Sequence, residues 1–488
     1  MGDGPLMVGV SGMRGIVGAS LSPEIAARFA GVFGSWLARG ADGRPTVVVG
    51  RDGRAGCDPV YAAAVAGVTG AGCDVIDLGV EMTPTVGVMV DELEAAGGLV
   101  ITASHNGQEW NGLKCLVPEG EGVAKGVRAC APSAQAAAEI TAAFHEGRVG
   151  WRGWAQAGRV ALRHDSGWDH ASLVLRRLGD ELVALIRERR YSVVLDSVNA
   201  AGVEGGRRLL ESLGCRVTHI GDDESGVFPH APEPTRENLV ALCDAVRDAR
   251  ADVGFAQDPD GDRLAILDGE GRYIGEEWTL VLAARSVLEA CDALGARAHE
   301  GHRGIVLCAN LSTSRMIDDL AREHGARVVR TPVGEAHVAG AMKREGSEIG
   351  GEGNGGVIWP GVTCVRDSLG AMALVLALMA RHGRTLADLV GGMPAYAIEK
   401  RKVEIASREA AAPAVETAAA WAPAGGARVD RQDGVRVDWD DCPHAGGGPA
   451  WVHVRASNTE PIMRLIAEAR TGDGAARLLG EVERAIGG

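Results

Sequence analysis

Short apolar runs rich in Val and Ile recur along the chain, each ending in Gly, Asp or Asn and followed by an Ala/Leu-rich stretch of amphipathic spacing. Such runs bounded by turn formers predict strands and the longer periodic stretches predict helices, so the repeating order is strand, loop, helix. Three successive stretches carry it. The first includes PTVVVG ending at Gly50 and GGLVITASHN ending at Asn106, and the second includes YSVVLDSVN around Asp196 and ADVGFAQDPDGDR ending at Arg263. The third includes GIVLCAN, ARVVRTPVG and EIGGEGNGG. In open α/β sheets the ligand crevice lies beyond the carboxyl ends of the strands, where all these polar loops fall. Their placement predicts one site shared between units.

RDSLGAMALVLALMARHG, residues 366–383, reads as a buried helix closing the third unit, with Gly383 as its C-terminal stop. Beyond residue 390, VRVDW, WVHVRAS and IMRLIAEA alternate as strands and GAARLLGEVERAI reads as a last helix, the pattern of a smaller α+β domain. The expected division is therefore α/β domains over 1–160, 161–272 and 273–390, and an α+β domain over 391–488. The Ala/Gly/Pro stretch 410–427 reads as helix or loop and the GGG at 446–448 as a hairpin tip; 119–135 and 146–160 show no period and read as surface loops.

Length agrees with several domains, since 488 residues exceed one compact core at about 100–200 residues per domain. The net charge of −15 argues against a nucleic-acid partner, which demands a basic face, so any anionic ligand must be held by local charge. No apolar run approaches the roughly 20 residues that span a bilayer, and the N-terminal MGDGPLMVGVSG has no basic and apolar leader pattern, which predicts a cytoplasmic protein without a membrane partner. Ten scattered cysteines form no CxxC pair and read as reduced, mostly buried small residues.

Four loops carry candidate chemistry. Ser104 follows the apolar strand GGLVI and precedes His105, Asn106 and Gly107, so its hydroxyl sits on a tight turn at a strand end, as a turn former or as a nucleophile. GxSxG is absent, which leaves an esterase triad unsupported and a phosphate-accepting serine as the alternative. The loop Asp258-Pro259-Asp260-Gly261-Asp262-Arg263 sets carboxylates at alternate positions, so a curved backbone can converge them on one hard cation, Mg2+ by preference. An EF-hand is excluded because its sixth and twelfth positions are Arg263 and Gly269. The plain alternative is an acidic turn, which close like charges disfavour without a counterion.

Arg455-Ala456-Ser457-Asn458-Thr459-Glu460-Pro461-Ile462-Met463-Arg464 packs two guanidinium groups, two hydroxyls, an amide and backbone N–H groups into a segment able to cradle a phosphate, or else forms a surface Arg464–Glu460 pair. Gly350-Gly351-Glu352-Gly353-Asn354-Gly355-Gly356 lacks the lysine of a nucleotide P-loop; its glycines allow close backbone approach while Glu352 and Asn354 can hold sugar hydroxyls. Arg14 in SGMRG and Lys114 in WNGLK are single cations, indistinguishable alone from surface charge.

Taken in this order, from SGMRG to RASNTEP, the motifs resemble the α-D-phosphohexomutase superfamily over nearly the whole chain. The resemblance implies three related α/β domains with mixed sheets and a smaller C-terminal α+β domain around a central cleft. It implies that Ser104 is a phosphoserine and that Asp258, Asp260 and Asp262 bind Mg2+ together with a Ser104 phosphate oxygen. Glu352 and Asn354 resemble the sugar-binding loop, and Arg455, Ser457, Asn458, Thr459 and Arg464 the clamp for the non-reacting phosphate. Arg14, Lys114 and Arg263 resemble the cations around the transferring phosphate, with His105 beside the serine and Lys114 as the preferred general acid/base.

The expected activity is exchange of hexose 1-phosphate and 6-phosphate through a sugar bisphosphate that acts as intermediate and activator. The partner is thus a small phosphosugar, with monomer and homo-oligomer both open. Gly107 stands where the family usually has Pro, Asn354 where it commonly has Ser, and Gly356 where it commonly has a His given a proton-transfer role. GEGNGG with SNTEP resembles a branch containing both phosphoglucosamine and phosphomannose mutases, with glucosamine phosphate the first expectation. The rivals are a hexose-bisphosphate synthase or phosphatase and a non-catalytic phosphosugar-binding protein.

Overall fold

The computed structural model describes residues 5–118, 128–290, 304–405, 411–421, 427–456 and 462–487. The Val/Ile runs form strands, buried on both faces as parallel sheets between helices demand. Three units repeat one sheet order, each in a sheet of its own. In the first the order is Asp74–Val80, Thr46–Arg51, Gly97–Ile101, Trp110–Pro118. In the second it is Arg216–Ile220, Ser192–Asp196, Val253–Gln257, Leu264–Asp268, and in the third Arg327–Thr331, Val306–Asn310, Ile349–Glu352, Gly356–Ile358. Each time the first three strands are parallel and the fourth runs back antiparallel from the third. The Ser104 turn, the aspartate loop and the Gly350–Gly356 loop therefore occupy one and the same hairpin position in three units.

The first sheet is widened by Met7–Gly9 and Gly12–Ile16 beyond its antiparallel strand and by Val160–Leu162 at the other edge, so it runs past the expected junction at 160. Helices Pro23–Leu37 and Asp58–Gly70 pack one face around Phe29, Phe33 and Leu99, and Thr83–Glu92 packs the other. The C-terminal unit is an antiparallel five-stranded sheet, ordered Ala397–Glu404, Ile462–Ala469, Ala450–Ala456, Val435–Trp439, Arg428–Asp430, and covered by helices Ala411–Trp421 and Gly472–Gly487. Two loop expectations are corrected. Of 119–135, residues 119–127 lie outside the described residues, Ala129–Cys130 is a buried strand, and the helix Ala134–His145, capped by Ser133, begins at the end of the stretch because Ala-rich runs carry helix propensity. Within 146–160, Trp154–Gln156 forms an exposed helical turn and Val160 opens the edge strand.

The buried helix is Ser368–His382, with Asp367 accepting from the Leu369 and Gly370 amides at 2.9 Å and Gly383 closing it at φ 58°. Apolar all round, it packs on Glu277–Glu289 and on the second unit's helices Ser166–Leu178, Asp180–Arg189 and Gly202–Ser212, so the second and third units share one core. A buried polar strut ties in the first unit: Thr85 Oγ1 meets His170 Nδ1 at 3.0 Å, and His170 Nε2 meets Asp367 Oδ2 at 3.2 Å. The C-terminal unit docks on the third through Arg315, whose Nη1 donates to Trp439 O at 2.9 Å, and through Ser312 and His453, 2.9 Å apart. No disulfide joins the nine cysteines among the described residues, and no helix there is long and apolar enough to cross a membrane.

Glu81 is buried where the first unit meets the second and accepts from the Gly167 amide at 2.7 Å. Burial lifts its carboxyl from 4.5 to about 8, the Gly167 bond opposing. The folded state thus holds this proton more tightly than the unfolded chain does. Its contribution to stability is complete below about pH 4.5 and is lost as pH rises toward 8, at about 1.4 kcal/mol per pH unit. Glu81→Gln keeps an acceptor for Gly167 without the charge. Thermal unfolding is expected to match the wild type near about pH 5 and to occur at higher temperature than the wild type near about pH 8; a difference independent of pH would refute the assignment.

Candidate active site

Ser104 is held in left-handed backbone, φ 49°, a conformation a serine adopts only where its surroundings impose it. Its amide donates to Thr102 Oγ1 at 2.8 Å and its carbonyl accepts from Arg54 Nη2 at 2.6 Å. Arg54 is fully buried. Its Nε donates to Asp52 Oδ2 at 2.9 Å and its Nη1 to Trp110 O at 2.7 Å and Gly107 O at 3.2 Å, while Thr102 Oγ1 donates to the same Asp52 oxygen at 2.6 Å. One Asp–Arg pair therefore clamps the whole turn. The Ser104 hydroxyl donates to Asp258 Oδ2 at 2.8 Å and lies 3.3 Å from His105 Nδ1. Burial, with Arg263 and Arg14 nearby, lowers His105 to about 2, so its imidazole is neutral.

Arg14 and Lys114 project from one face of adjacent antiparallel strands, in the register Gly12 to Lys114 and Arg14 to Gly112. Arg14 Nη1 donates to Asn106 Oδ1 at 2.8 Å. Lys114 Nζ donates to Asp260 Oδ2 at 2.7 Å and to Asp262 Oδ2 at 2.9 Å. Burial opposes its charge, but the two aspartates more than offset it and hold the amine above its usual range.

The aspartates sit in the hairpin between Val253–Gln257 and Leu264–Asp268, all three fully buried. Gly261, at φ 65°, makes the turn, and a Cβ there would lie 2.5 Å from Met82 Sδ. The first unit grips this loop through Thr83, whose amide donates to Asp260 O at 2.9 Å and whose hydroxyl donates to Asp260 Oδ2 at 2.7 Å. Burial, then the charges of Asp262 and Asp260, push Asp258 well up; on Asp262 burial is outweighed by Arg366, Lys114 and Arg263, which hold it low. One oxygen from each carboxylate lies within 4.8 Å of the others, and Asp260 Oδ1 and Asp262 Oδ1 are buried without a hydrogen-bond partner. Three buried carboxylates gathered this closely, two of them with an oxygen that makes no hydrogen bond, fit a hard divalent cation.

Glu352 and Asn354 lie in the third hairpin, joined to the second by the Leu264 amide donating to Gly355 O at 3.0 Å. Asn354 Oδ1 accepts from Gly356 N at 3.3 Å, within its own loop. Glu352 Oε1 accepts from Asn310 Nδ2 at 2.7 Å and Gly334 N at 3.0 Å, and Oε2 from Arg366 Nη1 at 2.6 Å. Arg455 and Arg464 face each other directly across two antiparallel strands. Two guanidinium groups so placed repel unless an anion lies between them. Arg455 is also paired to Asp433 at 3.0 Å. Ser457, Asn458 and Thr459 lie outside the described residues.

Sequence reasoning missed Asp52, Arg54, Thr83, Glu233, Asn310 and Arg366. RDGR directly after a predicted strand was a visible signal for the first two. Glu233, 3.7 Å from Arg263 and 4.0 Å from His105, arrives from a Pro-rich loop without pattern.

A serine on an imposed turn, a buried carboxylate triad fit for a cation, and basic groups ringing both define a phosphoryl-transfer enzyme. The family description "Phosphoglucomutase/phosphomannomutase" matches through its α/β/α domain I at residues 5–129, domain II at 176–271, domain III at 278–396 and C-terminal domain at 399–485. The chain is 35% identical over 474 residues to a phosphoglucomutase/phosphomannomutase of Thermococcus kodakarensis, covering 97% of this chain and 96% of that protein. It is likewise 35% identical over 479 residues to a Methanopyrus kandleri protein named "Probable phosphoglucosamine mutase", covering 97% and 96%. A crystal structure of a phosphoglucomutase/phosphomannomutase family protein from Burkholderia thailandensis has the same fold, with TM-score 0.76 and 24% identity over 98% of both chains. The chain belongs to the phosphoglucomutase/phosphomannomutase family of the α-D-phosphohexomutase superfamily, isomerase-class enzymes that move phosphate.

Arg54→Lys keeps the charge but cannot span Asp52 and the turn carbonyls together. It is expected to lower kcat/KM about a hundredfold in steady-state assays while the protein stays folded, because a slight displacement of the Ser104 turn at the carboxylate cluster suffices. Arg54→Ala strands Asp52 and is expected to cost about 3–5 kcal/mol in denaturant unfolding.

Proposed function

We propose that this chain interconverts hexose 1-phosphates and 6-phosphates, with phosphorylated Ser104 as the carrier and a sugar bisphosphate as intermediate and activator. The observation that carries the reading is the 2.8 Å contact of the Ser104 hydroxyl with Asp258, inside a ring of cations contributed by three units. In one half-reaction the Ser104 Oγ–P bond breaks and a sugar O–P bond forms, while one proton leaves the sugar hydroxyl and one reaches Ser104 Oγ. The bisphosphate then turns over and the reverse transfer returns its other phosphate to Ser104.

Asp258, Asp260 and Asp262, with an oxygen of the phosphoserine, would hold Mg2+, which when bound neutralises charge developing on the phosphoryl group. Arg14 and Arg263 hold the transferring phosphate. Lys114, which donates to Asp260 and Asp262, is assigned the general acid/base part by its place among the family's motifs, and neutral His105 lies beside Ser104. Glu352 and Asn354 receive sugar hydroxyls, and Arg455, Ser457, Asn458, Thr459 and Arg464 hold the distal phosphate. Four domains, divided near residues 160, 272 and 390, each contribute one loop. The preferred substrate is glucosamine phosphate, after the Methanopyrus relative; the Thermococcus phosphoglucomutase/phosphomannomutase, at the same 35% identity, favours glucose or mannose phosphate as the second reading.

Intact-mass and peptide analysis is expected to find phosphate on Ser104, and Ser104→Ala to lose about a thousandfold or more in kcat. Full isomerase activity in Ser104→Ala, or release of free bisphosphate in place of isomer, would sink the mutase reading. Thorough chelation is expected to abolish turnover and Mg2+ to restore it. Among glucosamine, mannose and glucose 1-phosphates, kcat/KM is expected to be highest for glucosamine; a higher value for either other sugar transfers the assignment.

A further inference from the structure

The sugar loop has no side chain at position 356, yet the space is filled. A Cβ built on Gly356 would lie 2.3 Å from Cδ and 3.2 Å from Cγ of Arg366, distances at which something must move. Arg366 enters from the start of the buried helix. Its amide donates to Glu335 Oε1 at 3.0 Å, and the next residue, Asp367, donates its amide to Val357 O at 2.7 Å and caps the helix. The base of the side chain is thus anchored from both sides of the loop it crosses.

The far end is as closely placed. Nη1 donates to Glu352 Oε2 at 2.6 Å and Nη2 to Asp262 Oδ2 at 2.6 Å. These oxygens belong to different hairpins, the sugar loop and the aspartate loop. A guanidinium is planar and rigid, so its two ends hold both carboxylates at one separation and orientation, which a flexible ammonium cannot do. Its partners leave Asp262 Oδ1 without a hydrogen bond, 3.9 Å from Arg263 Nε.

We infer that Arg366 takes the place of the side chain absent at 356 and is a positioning residue, one guanidinium that sets Glu352 against sugar and Asp262 against the cation site together. The inference rests on the proposed mutase reading for what Glu352 and Asp262 do, and on the packing of Arg366 against Gly356 for the exclusion of a side chain there. Gly356 and Arg366 are then a matched pair: glycine is required because the arginine lies across it.

A double-mutant cycle tests the pair. Gly356→Ala alone is expected to lower the unfolding temperature measured without metal or sugar and to cut kcat/KM about tenfold, whereas in an Arg366→Ala background it adds no further loss. Equal losses in both backgrounds would overturn the exclusion. Arg366→Lys tests positioning, since it keeps the charge and reaches one carboxylate. It is expected to lower kcat about tenfold or more while unfolding in the absence of metal stays near that of the wild type. Wild-type kcat and KM in Arg366→Lys would overturn positioning. An active Ser104→Ala would remove the mutase reading without touching the unfolding arm of the cycle, so the two failures are told apart.

Discussion

Three carboxylates from a single short turn, buried side by side, repel one another, and the rest of the molecule is arranged around relieving that repulsion. Each α/β unit answers with one cation: Lys114 from the first, Arg263 from the second and Arg366 from the third. Like charges in a low-dielectric interior are tolerable only when paired this closely. The site is therefore electrostatically complete only when the three units are in mutual register. Two carboxylate oxygens still make no hydrogen bond, in a cluster fit for a divalent cation.

The scaffold turns this requirement into rigidity. Helix Ser368–His382 is buried by its neighbours in two units, and its cap, Asp367, also holds His170 and through it Thr85. The residue just before that cap is Arg366. The element that locks the units together and the side chain that bridges their loops thus share one stretch of backbone. The C-terminal unit contacts the third chiefly through Arg315, Arg436 and His453 and carries Arg455 and Arg464, opposite each other in register, at one end of its sheet.

Local pattern made much of this readable in advance. The Val/Ile runs, the Gly383 stop, the clustered carboxylates and the Ser104 turn each express their local structure within a few residues. Arg54 does not, because its partner carbonyls lie 50 and 56 residues away and no period or spacing connects them. Arg366 was legible only as the first residue of a helix, where a charge is unremarked; its meaning depends on Gly356, Glu352 and Asp262, which the fold alone brings beside it. Position 356 itself looked like a loss, and the structure shows the space occupied from another direction.

The contacts around Ser104 also carry an order in time. The serine is separated from Asp258 by 154 residues, Lys114 from Asp262 by 148, and Asp262 from Arg366 by 104. Domains of a growing chain fold in turn from the N-terminus. The first unit therefore emerges with the Ser104 turn and its Asp52–Arg54 clamp in hand but without Asp258, which accepts from the serine hydroxyl. The second supplies that carboxylate while its charges are only partly balanced, and only the third completes the ring. Unfinished chains consequently hold a serine whose turn is set but whose carboxylate and cation neighbours are missing, and the site is whole only in a molecule that is almost entirely made.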